Sequence, residues 1–321
     1  MIRRNFLKWS GALIGAVGLG ALIGNYWKKI CRVTIIDFPN YSTDVVGDIC
    51  STMTSDGLLL KDKRVLLKPN FVEVHPGRPI NTDVSVIRQV SEACWRLGAR
   101  EVVVGEAAGH RRDPWFSVIN PAVRGSLSKE TRCIDLNHGR AVRVKNRGKY
   151  TGLEDFLVAA DLMEADVVIN LPKLKTHHWV GVTLSMKNLF GVLPGVFYGW
   201  PKNFLHYKGI PQSIIDLAMT IPVHYIVLDA GIGMEGDGPI LGSGKAVGAL
   251  IMGTDPLAID TTGARIMGFD PNRLPYMSVA SYHFPGFNES AKLYPREHPK
   301  KYFSQFTRLE TFEPAKISSP W

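Results

Sequence analysis

Lysines stand in this chain where packing has little use for them: directly after short β-branched runs, beside proline or asparagine. Val65–Leu67 runs into Lys68-Pro69-Asn70, and a second run leads through Asn170 into Pro172-Lys173-Leu174-Lys175-Thr176-His177-His178. Others end at Glu106, at Asp229 and at Thr254-Asp255. In open α/β sheets ligands bind beyond the carboxyl ends of the strands. If these runs are strands of one such sheet, their tips gather Lys68, Asn70, Glu106, Lys173, Lys175, His177, Asp229 and Asp255 at one edge. Singly, each is an ordinary loop residue; as a set they describe a site for a small anion, carboxylate or phosphate. Lys187 and Asn188 follow in TLSMKNLFGVLPG, where apolar neighbours on both sides force the lysine to be partly buried. Such a lysine finds an anion, loses its proton and serves as base or nucleophile, or snorkels past an apolar edge. The expected catalytic groups are therefore His177, Lys187 and Glu235. The expected substrate-binding groups are Lys68, Asn70, Lys173, Lys175, Asn188, Asp229 and Asp255.

A divalent metal is a further expectation, with His177, His206 and Glu235 as candidate ligands, since imidazole with carboxylate suits several transition metals. Spacing lends it no support, for the chain has neither H-x-x-x-H nor H-E-x-x-H. His177 and His178 would face opposite ways in an extended strand, so at most one meets the site. Residues 229–239 contain a literal G-x-G-x-x-G at Gly231, Gly233 and Gly236. A dinucleotide fingerprint should open a helix there, whereas Asp237-Gly238-Pro239 follow and the acids would repel a pyrophosphate. The stretch reads as a tight loop whose Asp229, Glu235 and Asp237 offer oxygens to a hard cation or one carboxylate for proton transfer. Cys31, Cys50, Cys94 and Cys133 are widely spaced with no C-x-x-C, so no iron–sulfur cluster is expected in this chain. Cys94 shares a helical stripe with Ile87, Val90 and Leu97 and reads as a small buried hydrophobe.

The elements that must position these groups alternate between short buried strands and helical segments, which implies an α/β fold: a mostly parallel open sheet with helices on both faces. The expected strands are Val33–Asp37, Val65–Lys68, Glu101–Gly105, Asp166–Asn170, Tyr225–Asp229 and Ala249–Gly253. The expected helices are Asp44–Met53, Asp83–Leu97, Gly152–Ala160, Ile210–Thr220 and Pro256–Met267, the last capped by Asp255 with Pro256 at its first position. Residues 107–150 break the rhythm and read as an inserted subdomain within a single α/β domain over 31–284; from residue 285 an irregular C-terminal tail is expected.

Residues 1–30 read as a targeting segment. Arg3, Arg4, Phe6, Leu7 and Lys8 match a twin-arginine export pattern, and an apolar run over residues 9–27 follows. Export through the twin-arginine translocation machinery to a periplasmic or other extracytoplasmic place is expected. The run serves either as a cleaved signal or as a membrane anchor, the sole expected membrane contact. Six of the 38 lysines and arginines lie in residues 1–32, which hold no acid, so most of the net charge of +9 belongs to the leader. The nearly balanced body argues against a nucleic-acid partner.

The segments VLLKPN, ADVVINLPKLKTH, TLSMKNLFGVLPG, LDAGIGMEGDGP and GTDPLAIDTTGARIMG resemble, in order, the signature blocks of the domain-of-unknown-function family 362 (DUF362) over roughly residues 32–284. The resemblance implies a compact α/β domain, fused in some members to ferredoxin-type segments that this chain lacks. Matched residue by residue, it implies importance for Lys68, Asn70, Lys173, Lys175, His177, Lys187, Asn188, Asp229, Glu235, Asp255 and Asp260. It brings no biochemical activity. The function expected is an enzyme acting on a small anionic substrate; the alternatives are a metal- or redox-cofactor-binding accessory protein and a non-catalytic anion-binding protein.

Overall fold

A computed structural model describes residues 30–73, 77–109 and 121–308. The export pattern at Arg3, Arg4, Phe6, Leu7 and Lys8 and the apolar run that follows lie outside the described residues. The strands in chain order are β1 (Cys31–Asp37), β2 (Arg64–Pro69), β3 (Glu101–Glu106), β4 (Arg132–Asp135), β5 (Ala141–Lys145), β6 (Asp155–Ala159), β7 (Val167–Leu171), β8 (Lys173–His177), β9 (Gly181–Thr183), β10 (Tyr225–Glu235), β11 (Ser243–Gly253) and β12 (Lys292–Leu293). The longer helices are α1 (Val46–Ser55), α2 (Val84–Arg96), α3 (Ile210–Thr220) and α4 (Pro256–Ile266).

The main sheet runs β12-β1-β11-β10-β7-β2-β3-β4. From β10 through β7, β2 and β3 to β4 every pairing is parallel, while β11 is antiparallel to both β10 and β1. Helices cover both faces, as strands buried on both sides require. On one face Ile49 and Met53 of α1 and Ile87 and Val90 of α2 pack with Val65, Leu67, Val102 and Val104. On the other, Ile214 and Leu217 of α3 and Ile259 and Ala264 of α4 pack with Ile35, Leu66, Val168 and Leu228. Alternate residues of one strand, such as Leu66 and Leu67, thus feed opposite cores. The helices start where capping chemistry puts them: Asp83 accepts from the Ser85 N–H, and Asp255, ahead of Pro256, accepts from the Ala258 N–H. Cys94 is fully buried on α2, in the hydrophobic role its stripe implies.

β10 is the spine of the site. It pairs with β7 at Tyr225 and Ile226 and, beyond Pro172, with β8 at Asp229 and Met234. The glycine-rich stretch expected to be a loop is the outer half of this strand, which forms a hairpin with β11 as far as Glu235 and Ser243. Its glycines answer to crowding: a Cβ on Gly233 would stand 2.8 Å from Phe306 and 3.1 Å from the Leu174 carbonyl.

The helix expected over Gly152–Ala160 is instead β6, paired antiparallel with β5. Phe156 and Val158 point inward with period two, and the apolar cluster that suggested a helix is the buried face of a ribbon. Within residues 107–150, β4 is an edge strand of the main sheet while β5 belongs to this ribbon. Asp216 of α3 tethers the ribbon, accepting from the Asn146 amide, the Tyr150 and Thr151 N–H groups and the Thr151 hydroxyl. Beyond residue 285, short turns lead to β12 against β1, and Phe306 is buried. No helix among the described residues is long and apolar enough to cross a membrane.

Asp216→Ala leaves four donors without this acceptor, three of them buried, and the expected loss is about 3 kcal/mol, read by urea denaturation together with new protease cleavage within residues 146–154. Unchanged stability would show that the ribbon is held by packing alone.

Candidate functional site

A cavity of about 480 Å³ opens beyond the ends of β2, β3 and β8. Its walls come from Phe71 and Val72, from the β10–β11 hairpin tip at Ile240 and Leu241, and from Trp179 and Phe190. Polar groups from several elements also line it, among them Asn70, Glu106, Lys175, Lys187, Lys202 and His206.

Lys68 is wholly buried behind the cavity and donates to Glu106 at 2.6 Å and to the Pro69 carbonyl at 2.8 Å. Burial pulls both partners toward neutrality. It lowers the lysine and pushes Glu106 up to about 7, against the stabilising neighbourhood of Lys68, Lys202 and the Phe71 N–H. Gly191 packs on this pair, and any Cβ there would overlap Glu106 Oε1. Lys175 also lines the cavity; its Nζ donates to the Ile80 carbonyl at 2.7 Å, and burial, with Lys173 and Lys187 nearby, holds it well below the ordinary lysine range. Lys202 lies in the left-handed region at φ 73° and donates to Asn137 Oδ1 at 2.8 Å; burial lowers it to about 8.

Lys187 is the exception among these cations. Half-buried on the cavity wall, its Nζ sits 3.7 Å from the centroid of the Phe190 ring and has no hydrogen bond or ion pair among the described residues. Burial, reinforced by Lys68, lowers it to about 7. Its backbone is held from both sides. Asp260 accepts from the Ser185 N–H at 2.7 Å, the Ser185 hydroxyl at 2.6 Å and the Met186 N–H at 3.2 Å. An amide ladder runs from Asn70 Nδ2 to Asn188 Oδ1, from Asn188 Nδ2 to Asn170 Oδ1 and from Asn170 Nδ2 to the Ser185 carbonyl.

Two of the three imidazoles that line the cavity, His177 and His206, are held below the ordinary histidine range by burial, and Lys187 adds to the effect on each. Their neutral tautomers differ. His177 Nδ1 accepts the Trp179 N–H at 3.1 Å, which places the ring proton on Nε2 and makes it a donor. His206 Nδ1 lies 3.0 Å from the Lys202 carbonyl and must donate to it, leaving its Nε2 an acceptor. Asn70 and Thr183 also line the cavity, and their Oδ1 and Oγ1 atoms are buried with no hydrogen-bond partner among the described residues.

The model of the DUF362 family, described as a domain of unknown function, matches residues 65–265. The chain belongs to that family. The match spans β2 to α4 and so contains every cavity group named above. A thylakoid-associated protein of Synechocystis is 28% identical over 248 residues, 74% of this chain and 73% of that protein. Among solved structures, the lactate racemase apoprotein of Thermoanaerobacterium thermosaccharolyticum superposes with a TM-score of 0.47 at 11% identity, over 75% of this chain. The chain spans 57% of that protein's length.

Within this DUF362 fold the expected site residues divide. Asn70, Lys175, His177, Lys187, Asn188 and His206 line the cavity, with Lys68 directly behind Glu106. His178 lines it too, contrary to the expectation that only one of the two histidines does. β8 ends at His177, and the turn that follows brings the rings to 4.9 Å between centroids.

The other expected residues are engaged elsewhere. Lys173 and Asp229 form a buried pair at 2.7 Å, satisfied by the Tyr41 hydroxyl and by the Asp83 and Gly231 N–H groups. Glu235 is held by Lys245 at 3.1 Å and by the Thr307 N–H at 2.8 Å, and does not line the cavity. Asp255 follows β11, which runs antiparallel to β10, so it lies at the opposite end of the sheet as the cap of α4. No group of three metal-ligating side chains occurs among the described residues, so His177, His206 and Glu235 do not converge as a metal set. Sequence reasoning missed Lys202 and Thr183. Lys202 follows Pro201, the same pairing of lysine with proline that singled out Lys68 and Lys173.

Removing one partner of the Lys173–Asp229 pair strands a buried charge. Asp229→Ala is expected to lose about 3–5 kcal/mol of stability by chemical denaturation, and Lys173→Met with Asp229→Leu to recover most of it. Equal losses in the single and double variants would mean that the pair carries more than its own charge balance.

Proposed function

We propose that this DUF362 protein is an exported enzyme acting on a small molecule that carries a carboxylate or phosphate and a flat or apolar body. One observation carries the reading. Lys175, Lys187 and Lys202 line a single cavity whose buried carboxylate, Glu106, is already engaged by Lys68. Lysine out of water either gives up its proton or acquires an anion, and an incoming carboxylate or phosphate supplies what the protein withholds. The volume and apolar walls suit an organic ligand.

In this reading Lys175 and Lys202 hold the anionic group and the His177 Nε2–H donates to it. Lys187 and His206 exchange protons with the reacting atoms, each being close to neutral at physiological pH. Glu106 takes the part first assigned to Glu235, as the buried one of the three carboxylates that line the cavity with Glu73 and Asp237, its pKa pushed up to about 7 by burial. Export by the twin-arginine machinery belongs to the same proposal. It is supported by the leader sequence and is compatible with a relative described as thylakoid-associated.

Benzoate and inorganic phosphate are the first probes. Free Lys187 titrates near 7, and a bound anion raises that value. Below pH 7 the lysine is already charged and affinity is level; above pH 7 binding must draw a proton from solution, so affinity falls by up to tenfold per pH unit. Calorimetry with benzoate at pH 8 in buffers of different ionisation enthalpy is expected to show net proton uptake on binding, shared among Lys187, Lys175 and Lys202 and reduced in Lys187→Met. If neither probe binds at pH 6, the anion-site reading is wrong.

A further inference from the structure

We propose that Lys187 is a covalent site: its Nζ forms an imine with the carbonyl carbon of an aldehyde or ketone that also carries an anionic group. This deepens the reading above and rests on it for the anionic half of the ligand.

Four lysines stand in or behind the cavity, and the geometry separates one of them. Lys68 Nζ is bonded to Glu106 and Pro69, Lys175 Nζ to Ile80 and Lys202 Nζ to Asn137. Lys187 Nζ has no polar partner among the described residues and rests on the face of Phe190. An amine so placed is a free nucleophile on the wall of an apolar chamber. It is also preorganised, because the short helix Ser185–Asn188 that bears it is clamped by Asp260 at one end and by the asparagine ladder at the other. A lysine kept only for surface charge needs no such clamp. Burial adds a sizeable neutral fraction at physiological pH, as attack on a carbonyl requires.

The step balances without any co-reactant. The neutral amine's lone pair attacks the carbonyl carbon, the C=O π electrons move to oxygen, and a proton passes from nitrogen to that oxygen to give a carbinolamine. The nitrogen lone pair then forms the C=N bond, and the hydroxyl, protonated, leaves as water; the nitrogen's second proton is released or retained as the iminium. His206, whose Nε2 is an acceptor, and Glu106 line the same cavity and can carry these protons. Lys175 and Lys202 remain for the substrate's carboxylate or phosphate, so the ligand class is an oxo acid or an aldehyde bearing an anionic group.

The test traps the imine in the wild-type chain with 4-carboxybenzaldehyde and sodium cyanoborohydride, followed by peptide mass spectrometry. The expected adduct is at Lys187, forming at least tenfold faster than at exposed lysines such as Lys61 and Lys129. Its rate rises through about pH 7 and then levels, and excess benzoate slows it. Lys187→Arg, which keeps the charge but cannot form the imine, loses the adduct while benzoate still raises its melting temperature. Labelling spread evenly over surface lysines, with benzoate binding intact, overturns the covalent proposal and leaves the anion site standing. Selective labelling of Lys187 by uncharged benzaldehyde at the same rate, unaffected by benzoate, supports the nucleophile and overturns the anion reading instead.

Discussion

The constraint on which the site depends is lysine charge taken out of water. An isolated ammonium in an apolar interior is unstable enough that it is paired, deprotonated or matched by a ligand. Around the site the first answer is used in Lys173 with Asp229 and in Lys68 with Glu106. Lys175, Lys187 and Lys202 are left without a carboxylate of their own, all on one cavity. The surroundings show that this is organised: carbonyl or amide oxygens take the Nζ of Lys175 and Lys202, and Gly191 is reduced to a backbone so that Glu106 and Lys68 can meet beneath it.

The sheet explains which lysines fall in which class. β10 is long enough to pair first with β7 and then with β8, and Pro172, which has no N–H to give, marks the change of partner. β8 therefore continues past the edge where β2 and β3 stop. Lys173, at its start, is still level with Asp229 in the middle of β10 and is neutralised there. Lys175, two residues on, has passed beyond the carboxylates and enters the cavity. One strand thus carries a structural lysine and a cavity-lining lysine, separated by a single side chain.

Much of this was legible in the sequence because buried parallel strands leave near-continuous apolar runs and the polar residues that follow them are the tips. Lys68, Asn70, Glu106, Lys175 and His177 were found that way. What failed did so for topological reasons. Asp255 also follows a strand, but strand direction is invisible in a run such as Ala249–Gly253, and β11 is reversed. Glu235 lay in a stretch so rich in glycine that it read as a loop, whereas the glycines make room for Phe306 and Tyr41 beside a regular strand. The segment Asp155–Ala159 was too short for its period of two to outweigh an apolar cluster of helical size. Lys202 and Thr183 belong to connections with no periodic signal, and only the fold brings them in.

Two of the three histidines on the cavity, His177 and His206, give it a direction. Each ring is neutral, and each has one nitrogen fixed by a neighbouring backbone group, an N–H for His177 and a carbonyl for His206. One therefore presents a donor and the other an acceptor, a difference that two histidines in free solution would not keep. Under the proposed function the donor would strengthen anion binding, while the acceptor is held below the usual histidine range by burial and by Lys187. A base so disfavoured for protonation beside Lys187 is what proton removal from a bound anion would need, and the same positive field that lowers its affinity for protons would stabilise the charge left on the ligand.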